Sequence, residues 1–233
     1  MEKNNIKKER IEVMMDMETT DLAETSAILE IAIVPFHLEG LPTVEDVFHE
    51  YIDLTSCFLE GMTFNRKTQE VWMGWNTQAK YNLQTAEKTP IRSAIRDSYD
   101  YLNYLHEKYE LHVWCRGKNF DLPKYEYCVR TLLEKEVMPY HFYYTEDARD
   151  YAHTFNVHSS DVEFVGNQHC AIDDCFHQIK QVQMAYIRKC LRDDFAKNYL
   201  IEHYRGYADK FRTKYRELFG ENLTEEQLKE LLS

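Results

Sequence analysis

The sequence is poor in glycine and proline, and it contains no long apolar run. Its 233 residues include only seven Gly and five Pro, and no segment has the composition of a flexible linker or a low-complexity region. No apolar run approaches the roughly 18 residues that a membrane-spanning helix needs. The polar N-terminal segment MEKNNIKKER also lacks the apolar stretch of a signal peptide. These absences predict a soluble cytoplasmic protein.

Basic residues and paired cysteines are also scarce. Lys and Arg together number 28 against 40 Asp and Glu, which gives a net charge of −12. That charge argues against nucleic-acid binding through a broad basic surface, although bound metal ions can supply positive charge inside a site. The six cysteines include no CxxC pair, which argues against a zinc knuckle. In a reducing compartment they are interpreted as thiols.

The sequence does contain enough apolar residues, 44% of the chain, for one sizeable core. Aliphatic and β-branched runs predict three strands, RIEVMMD, AILEIAIVPFHL and VFHEYIDL, which would form an antiparallel meander. The later chain predicts five helices: 65–78, 90–108 (with Thr89 as N-cap), LPKYEYCVRTLLEKE, TEDARDYAHTF and 173–191. It also predicts two strands, ELHVWC and MPYHFYY. Alternating strands and helices predict a mixed α/β sheet.

Two carboxylates, Asp16 and Glu18, lie one residue apart in the first predicted strand. Alternate side chains of a strand point to the same face, so the two negative charges should be close together. Such a pair beside an apolar core is costly unless a cation lies between the groups or water reaches them. In isolation, the same pair could simply end a strand in solvent.

Two later segments place further polar side chains at the ends of predicted elements. Asp121 follows a strand and a Gly-containing turn in VWCRGKNFDLP, and His169 precedes Asp174 by five residues in NQHCAIDDCFHQ. Several carboxylates can hold two metal ions about 3.5–4 Å apart for phosphodiester hydrolysis. A histidine with a pKa near neutrality can take the proton of the attacking water. Taken singly, Asp121 could be only a helix N-cap and His169 only a surface histidine.

The three motifs together resemble a known family. The order Asp-x-Glu, Phe-Asp after a Gly turn, and His-x4-Asp resembles the DEDDh group of 3′–5′ exonucleases, which have an RNase H-like fold. DMETT, WCRGKNFDLP and HCAIDDC are most similar to the phage exodeoxyribonuclease A branch, which is related to bacterial 3′–5′ exoribonucleases. TQEVWMGWNTQ resembles the Trp-containing helix of that branch. The resemblance covers residues 11–185.

This resemblance implies an RNase H-like α/β fold: a mixed five-stranded sheet, an antiparallel meander plus parallel strands, flanked by helices. It implies an exonuclease domain over residues 10–192, preceded by a flexible N-terminus over 1–9. A helical C-terminal extension over 193–233 is expected to pack on the domain. Within it, the locally basic segment YRGYADKFRTKYREL is interpreted as an ordinary amphipathic helix, the alternative being a ridge that contacts phosphates.

The function implied by the resemblance is a metal-dependent 3′–5′ exonuclease. It would hydrolyse terminal phosphodiesters of nucleic acid, with DNA favoured, to nucleoside monophosphates by a two-metal mechanism with two Mg²⁺ or Mn²⁺ ions per site. The implied metal ligands are Asp16, Glu18, Asp121 and Asp174, and the implied general base is His169. Candidate substrate contacts are Thr19, Trp72, Arg116 and Phe120. Asp173 is the less favoured alternative to Asp174, and Glu30 and His177 are interpreted as structural.

Other functions stay open at this point. The chain could be a 3′–5′ exoribonuclease or a phosphodiesterase of short oligonucleotides. It could also be a non-catalytic module that binds nucleic-acid ends or a protein on the same fold. The expected partner is a DNA or RNA 3′ end and not a membrane, and a homodimer is compatible with the sequence. The expected location is the cytoplasm, that of the host if the chain is phage-encoded.

Overall fold

A computed structural model describes residues 8–41, 43, 45–72 and 77–192. The predicted flexible N-terminus is described only at residues 8 and 9, and the predicted C-terminal extension over 193–233 lies outside the described residues. No helix in the described part of the chain is long and apolar enough to cross a bilayer.

The described residues form six strands and seven helices. The strands are β1 (Arg10–Thr19), β2 (Ile28–Phe36), β3 (Phe48–Asp53), β4 (Thr89–Pro90), β5 (Glu110–Cys115) and β6 (Thr145–Asp147). The helices are α1 (Leu54–Leu59), α2 (Arg66–Trp72), α3 (Thr77–Thr85), α4 (Ile91–Lys108), α5 (Lys118–Leu132), α6 (Ala148–Thr154) and α7 (Ala171–Arg192). Short 3-10 turns span Phe142–Tyr144 and Ser159–Asp161.

The strands form one mixed sheet in the order β4-β3-β2-β1-β5-β6. The pairs β1–β2 and β2–β3 are antiparallel, whereas β1–β5 and β5–β6 are parallel. This arrangement confirms the expected mixed sheet, an antiparallel meander plus parallel strands flanked by helices. The sequence does not predict the sixth strand, β4, because it consists of two residues that pair with the end of β3.

The two faces of the sheet bury separate apolar layers because side chains alternate along each strand. Val13 and Met15 of β1 pack with Ile95 and Leu102 of α4 on one face. Met14 faces the other way and packs in the layer that contains Cys175, Ile179 and Val182 of α7. Each fully buried aliphatic side chain contributes on the order of 1.5–3 kcal/mol to stability. Helix α7 therefore lies against the same face of β1 as Asp16 and Glu18.

Several element predictions are wrong in detail. The aromatic segment MPYHFYY is not a strand, since Phe142–Tyr144 form a 3-10 turn and β6 begins at Thr145. Its rings contact one another: the centroids of Phe142 and Tyr143 are 4.0 Å apart with the ring planes tilted by 35°, and both side chains are exposed. Contacts between rings thus replace the sheet pairing that aromatic content usually indicates.

The helix over 65–78 is described as two helices, α2 and α3, with residues 73–76 between them outside the described residues. Helix α4 begins at Ile91, and Pro90 occupies its N-cap position. Thr89 does not cap this helix, because its hydroxyl donates instead to the Glu50 carboxylate.

Candidate active site

Strand β1 presents Asp16 and Glu18 on one face near its C-terminal end. Glu18 is only 8% exposed, and it lies directly opposite Glu30 on β2. The register of β1 and β2 shifts between Glu18 and Thr19, and such irregularities redirect side chains at the ends of paired strands. The strand thus places two acids of the same face near the C-terminal end of β1, in the middle of the sheet and beside Glu30, a third buried acid.

Helix α7 adds the next acid. Asp174 lies in its first turn, and Gln178 follows one turn later on the same side. The Gln178 side-chain amide Nε2 donates to Asp16 Oδ1 at 2.9 Å. This bond joins α7, the helix that carries Asp174, to β1 at the site.

Helix α5 contributes Asp121 from its first turn. The helix begins at Lys118, earlier than the sequence predicts, because Gly117 adopts a left-handed φ of 91°. The Asp147 carboxylate holds this turn by accepting the N–H groups of Gly117 and Lys118 at 3.3 and 2.9 Å. Asp121 is 3% exposed, and it is hydrogen-bonded to the Met17 backbone of β1. The turn therefore delivers this carboxylate to β1.

His169 lies on the loop that enters α7. Its backbone N–H donates to Asp174 Oδ2 at 3.0 Å, and its ring Nδ1 is 4.0 Å from Glu18 Oε1. Ligand atoms of Glu18, His169 and Asp174 all lie within 4.8 Å of one another. Three residues from two distant motifs thus form a group of the size and chemistry of a metal site.

The four acids Asp16, Glu18, Asp121 and Asp174, called the carboxylate cluster below, repel one another electrostatically. Burial raises the pKa of Asp16 to about 6. Burial and the negative charge of Asp16 raise the pKa of Asp174 to about 7. Burial and the charge of Asp16 raise the pKa of Glu18 and of Asp121 well above their ordinary values. The pKa of each acid thus depends on the negative charges of the others. A divalent cation is the simplest group that would offset this repulsion.

Asp173 and Asp174 have different partners. The Asp173 carboxylate Oδ2 accepts the backbone N–H of Asn167 at 2.7 Å, which ties down the loop before α7. Asp174 instead accepts from His169 and belongs to the group with Glu18. The geometry therefore favours Asp174 over Asp173 as the acid of the third motif.

The pKa shifts lead to a prediction for the metal-free protein. Because Asp16 and Asp174 have pKa values raised from 3.8 to about 6 and about 7, their contribution to folding is full below about pH 4 and is lost as the pH rises to 7. The Asp174→Asn variant should therefore melt at a higher temperature than wild type at pH 8 in a metal chelator. Each kcal/mol relieved corresponds to about 2–4 °C.

The matched control for this stability effect is Asp173→Asn. It removes the charge of the neighbouring carboxylate, which accepts the N–H of Asn167 and not that of His169. Thermal melts from pH 4 to pH 8 measure both variants against wild type. The advantage of Asp174→Asn should shrink toward pH 4, where Asp174 is protonated in folded wild-type protein and becomes protonated in the unfolded chain as well. A lower melting temperature than wild type at pH 8 would contradict the repulsion described above.

The structure brings only some of the candidate substrate contacts to the site. Arg116 is half-buried, and its charge lowers the pKa of Asp16, while its guanidinium donates to Gln181 Oε1 at 2.6 Å. The Thr19 side chain is 7% exposed and donates to the Asp21 carbonyl. Trp72 ends α2, and its side chain lies outside the described residues. Of these three, Arg116 is the one whose charge acts on the carboxylate cluster.

Phe120 borders the site next to Asp121. The buried ammonium of Lys124 lies 3.2 Å from the centroid of the Phe120 ring and donates to the carbonyl of Leu22 at 3.1 Å. Lys124 thereby joins helix α5 to the loop that follows β1. The carbonyl bond and the cation–π contact fix the inner face of the Phe120 ring.

The sequence interpretation missed the roles of Gln178 and Glu30 at the site. Gln178 could have been found, because a spacing of four residues on a predicted helix places it on the side of Asp174. Glu30 interrupts the apolar run AILEIAIV, and it is 1% exposed. A charged residue in a strand of otherwise apolar residues is costly to bury, and the same argument identified Asp16 and Glu18. Its position opposite Glu18 depends on strand register, which the sequence does not show.

Comparison with known proteins identifies one family whose model matches most of the chain. The model of a family described as the Rv2179c-like 3′–5′ exoribonuclease domain matches residues 11–186. No curated protein matches the sequence significantly.

Solved structures with a similar course of the chain are distant in sequence. The nuclease domain of 3′hExo, described as a DEDDh family member bound to rAMP, is 16% identical, with a TM-score of 0.46, 76% of this chain covered and 92% of that one. S. pombe Pop2p in its Mg²⁺- and Mn²⁺-bound form is 14% identical, with a TM-score of 0.46 and coverages of 79% and 84%. E. coli exonuclease I with an oligonucleotide is 11% identical, with a TM-score of 0.46, and the match covers 87% of this chain but 45% of that enzyme.

Proposed function

This chain belongs to the family of Rv2179c-like 3′–5′ exoribonuclease domains, and on that premise we propose that it removes nucleotides one at a time from the 3′ end of a nucleic-acid strand. In this proposal it acts as a DEDDh-type 3′–5′ exonuclease of the RNase H-like superfamily. The observation that carries the proposal is the convergence of two distant motifs on one group of side chains. Glu18 comes from the first motif, His169 and Asp174 come from the third, and their ligand atoms lie within 4.8 Å of one another.

The carboxylate cluster fits divalent cations. Its oxygens are the ligands that Mg²⁺ and Mn²⁺ prefer. Its acids are largely buried, and each has its pKa raised by burial together with the negative charge of its neighbours. We propose that Asp16, Glu18, Asp121 and Asp174 hold two such ions. When bound, the ions would offset the acids' charge and stabilise the negative charge that develops on the scissile phosphate.

His169 is the proposed general base. Burial lowers its pKa below the ordinary value, so at neutral pH its ring is neutral and can accept a proton from the attacking water. Its backbone is held by Asp174, and its ring Nδ1 faces the Glu18 carboxylate at 4.0 Å. Attack of water at the terminal phosphodiester, with transfer of its proton to His169, would release a nucleoside monophosphate and leave a new 3′-hydroxyl.

RNA is the first substrate to test, because the matching family is described as exoribonucleases. DNA, favoured by the phage-like motifs of the sequence, is the second. Arg116 is the proposed phosphate contact nearest the cluster, since its charge acts on both Asp16 and Asp174. Phe120 is the proposed apolar contact for the terminal nucleotide, because aromatic rings stack with any base. Thr19 and Trp72 stay lower-ranked proposals.

We expect purified protein to shorten 5′-labelled RNA from its 3′ end in the presence of Mg²⁺ or Mn²⁺. A ladder of products that grows shorter with time, with mononucleotides as the released species, is the expected result. The reaction should stop in excess chelator and resume when the metal is restored. Matched DNA, a dinucleotide and a 3′-phosphorylated strand, run in parallel, compare substrate classes.

Two results of these assays would contradict the proposal. Internal cleavage of a circular strand would replace the exonuclease with an endonuclease. Binding of 3′ ends with no metal-dependent turnover on any of the strands would favour the non-catalytic module.

A further inference from the structure

Glu30 is a buried carboxylate that the proposed reaction does not use. It is 1% exposed, and it lies opposite Glu18 on one side and opposite Tyr51 of β3 on the other. Its Oε1 lies 2.7 Å from His49 Nε2 and accepts from the Cys170 thiol at 3.3 Å. A buried acid beside the carboxylate cluster adds repulsion there, and its negative charge raises the pKa of Asp16, Glu18 and Asp174. Its presence therefore needs another reason.

The contact with Cys170 supplies that reason, because Cys170 directly follows His169. Burial and the neighbouring Glu30 raise the pKa of the Cys170 thiol to about 12, so the thiol keeps its proton and acts as the donor. The Tyr51 hydroxyl lies 3.8 Å from the same sulfur. Side chains of strands β2 and β3 thus contact Cys170, the residue next to the proposed base.

His169 needs such support because its backbone has a φ of 65°. A side chain bearing Cβ rarely adopts this left-handed conformation, and it persists only where the surroundings hold it. Asp174 holds the N–H side of His169, and Glu30 holds the following residue through its thiol. Together the two contacts fix the loop from both sides.

We propose that Glu30, held by His49 and bonded to Cys170, is a positioning residue that sets the orientation of His169. The proposal rests on the proposed function for its kinetic consequence but not for its structural one. Removal of a residue that orients a catalytic side chain without touching the substrate typically lowers activity by about 10- to 100-fold. A displacement of 1 Å at a reacting group can lower the rate by about 100-fold.

Glu12 offers a matched control. It is also a buried glutamate on the same face of the sheet, 2% exposed, and its Oε2 accepts from Trp114 Nε1 at 2.6 Å. It lies six residues before Glu18, about 20 Å along the strand. Glu30→Ala and Glu12→Ala therefore remove equal volumes and leave comparable unpaired donors, but only Glu30→Ala releases Cys170.

The first measurement is kinetic, with steady-state hydrolysis of RNA over a range of RNA concentrations at saturating Mg²⁺. Glu30→Ala is expected to lower kcat by about 10- to 100-fold with little change in KM, and Glu12→Ala is expected to leave both near wild type. Equal losses in the two variants would overturn the proposal, because they would show a general effect of a hole in the sheet.

The second measurement needs no nuclease activity. Site-resolved alkylation, read by mass spectrometry, reports how often the Cys170 loop opens, since the buried, protonated thiol reacts slowly. We expect alkylation of Cys170 to accelerate at least about 10-fold in Glu30→Ala and to stay unchanged in Glu12→Ala. Unchanged protection in Glu30→Ala would overturn the positioning role. If wild type shows this behaviour but does not hydrolyse nucleic acid, the proposed function fails and the positioning role stands.

A second pair of variants covers the case in which Glu30→Ala does not fold. Cys170→Ala removes the thiol donor without leaving an unpaired polar group on the loop, and Cys170→Ser restores a donor at the same place. We expect kcat to fall several-fold in Cys170→Ala and to recover in Cys170→Ser. Equal activities in the two variants would overturn the proposal.

Discussion

Asp174→Asn is expected to lower the rate of 3′-end hydrolysis by more than about 100-fold at saturating Mg²⁺. The change replaces a carboxylate by a neutral amide at the point where Glu18 and His169 approach within 4.8 Å. The amide oxygen can still accept the His169 N–H, so the loop before α7 keeps its anchor. The loss should therefore arise from weaker metal binding and not from unfolding, and Mn²⁺ titrations should show a lower affinity than in wild type.

The control for this result is the adjacent acid. Asp173→Asn removes the same charge one residue away, but its carboxylate bonds Asn167 outside the carboxylate cluster. We expect it to retain hydrolysis within a few-fold of wild type. If Asp173→Asn were the more damaging variant, the third motif would have been assigned to the wrong residue. If neither variant changed the rate, the carboxylate cluster would not be the catalytic site.

His169→Gln is expected to lower kcat by about 100- to 10,000-fold, the range in which a positioned general base contributes. The imidazole accepts a proton only when it is neutral, so wild-type activity should fall as the pH drops through its pKa. Burial lowers that pKa from its ordinary value of 6.5, which places the acid limb of the wild-type profile below that pH. The glutamine variant should lose this limb.

The matched histidine is His177 in α7. It is 9% exposed, contacts the Gln181 amide at 2.6 Å, and is not a member of the Glu18, His169 and Asp174 group. His177→Gln should keep the pH profile and kcat near wild type while lowering the melting temperature. Rate–pH profiles of the three proteins at saturating Mg²⁺ make the comparison. A wild-type acid limb retained in His169→Gln would assign the proton transfer to another group.

Much of the fold follows from local patterns in the sequence. Aliphatic and β-branched runs identify β1, β2 and β3, and helical periodicity identifies α4 and α7, whose bounds differ from the prediction by only a few residues. The 3′–5′ exonuclease family and the mixed sheet are confirmed. Asp16 and Glu18 could be singled out because buried charges are costly, whereas Asp121 and Asp174 were identified by their positions at the ends of predicted elements and by the family resemblance.

Features that depend on contacts between distant residues could not be predicted. The first helical turn of α5 depends on Asp147, which lies about thirty residues beyond Gly117 and accepts its N–H. The aromatic segment before β6 favours strand by propensity, but Phe142–Tyr144 form a 3-10 turn in which the rings of Phe142 and Tyr143 contact each other. Glu30 was interpreted as structural because sequence alone does not reveal its register opposite Glu18 or its contact with Cys170.

The central claim is that Asp16, Glu18, Asp121 and Asp174 together hold divalent cations. Diffraction from crystals of the protein soaked in Mn²⁺, collected at a wavelength where manganese scatters anomalously, tests it most directly. The account predicts anomalous peaks within bonding distance of these carboxylates and their loss in crystals of Asp174→Asn. Manganese bound only elsewhere, with these four carboxylates free of any peak at saturating Mn²⁺, would contradict it.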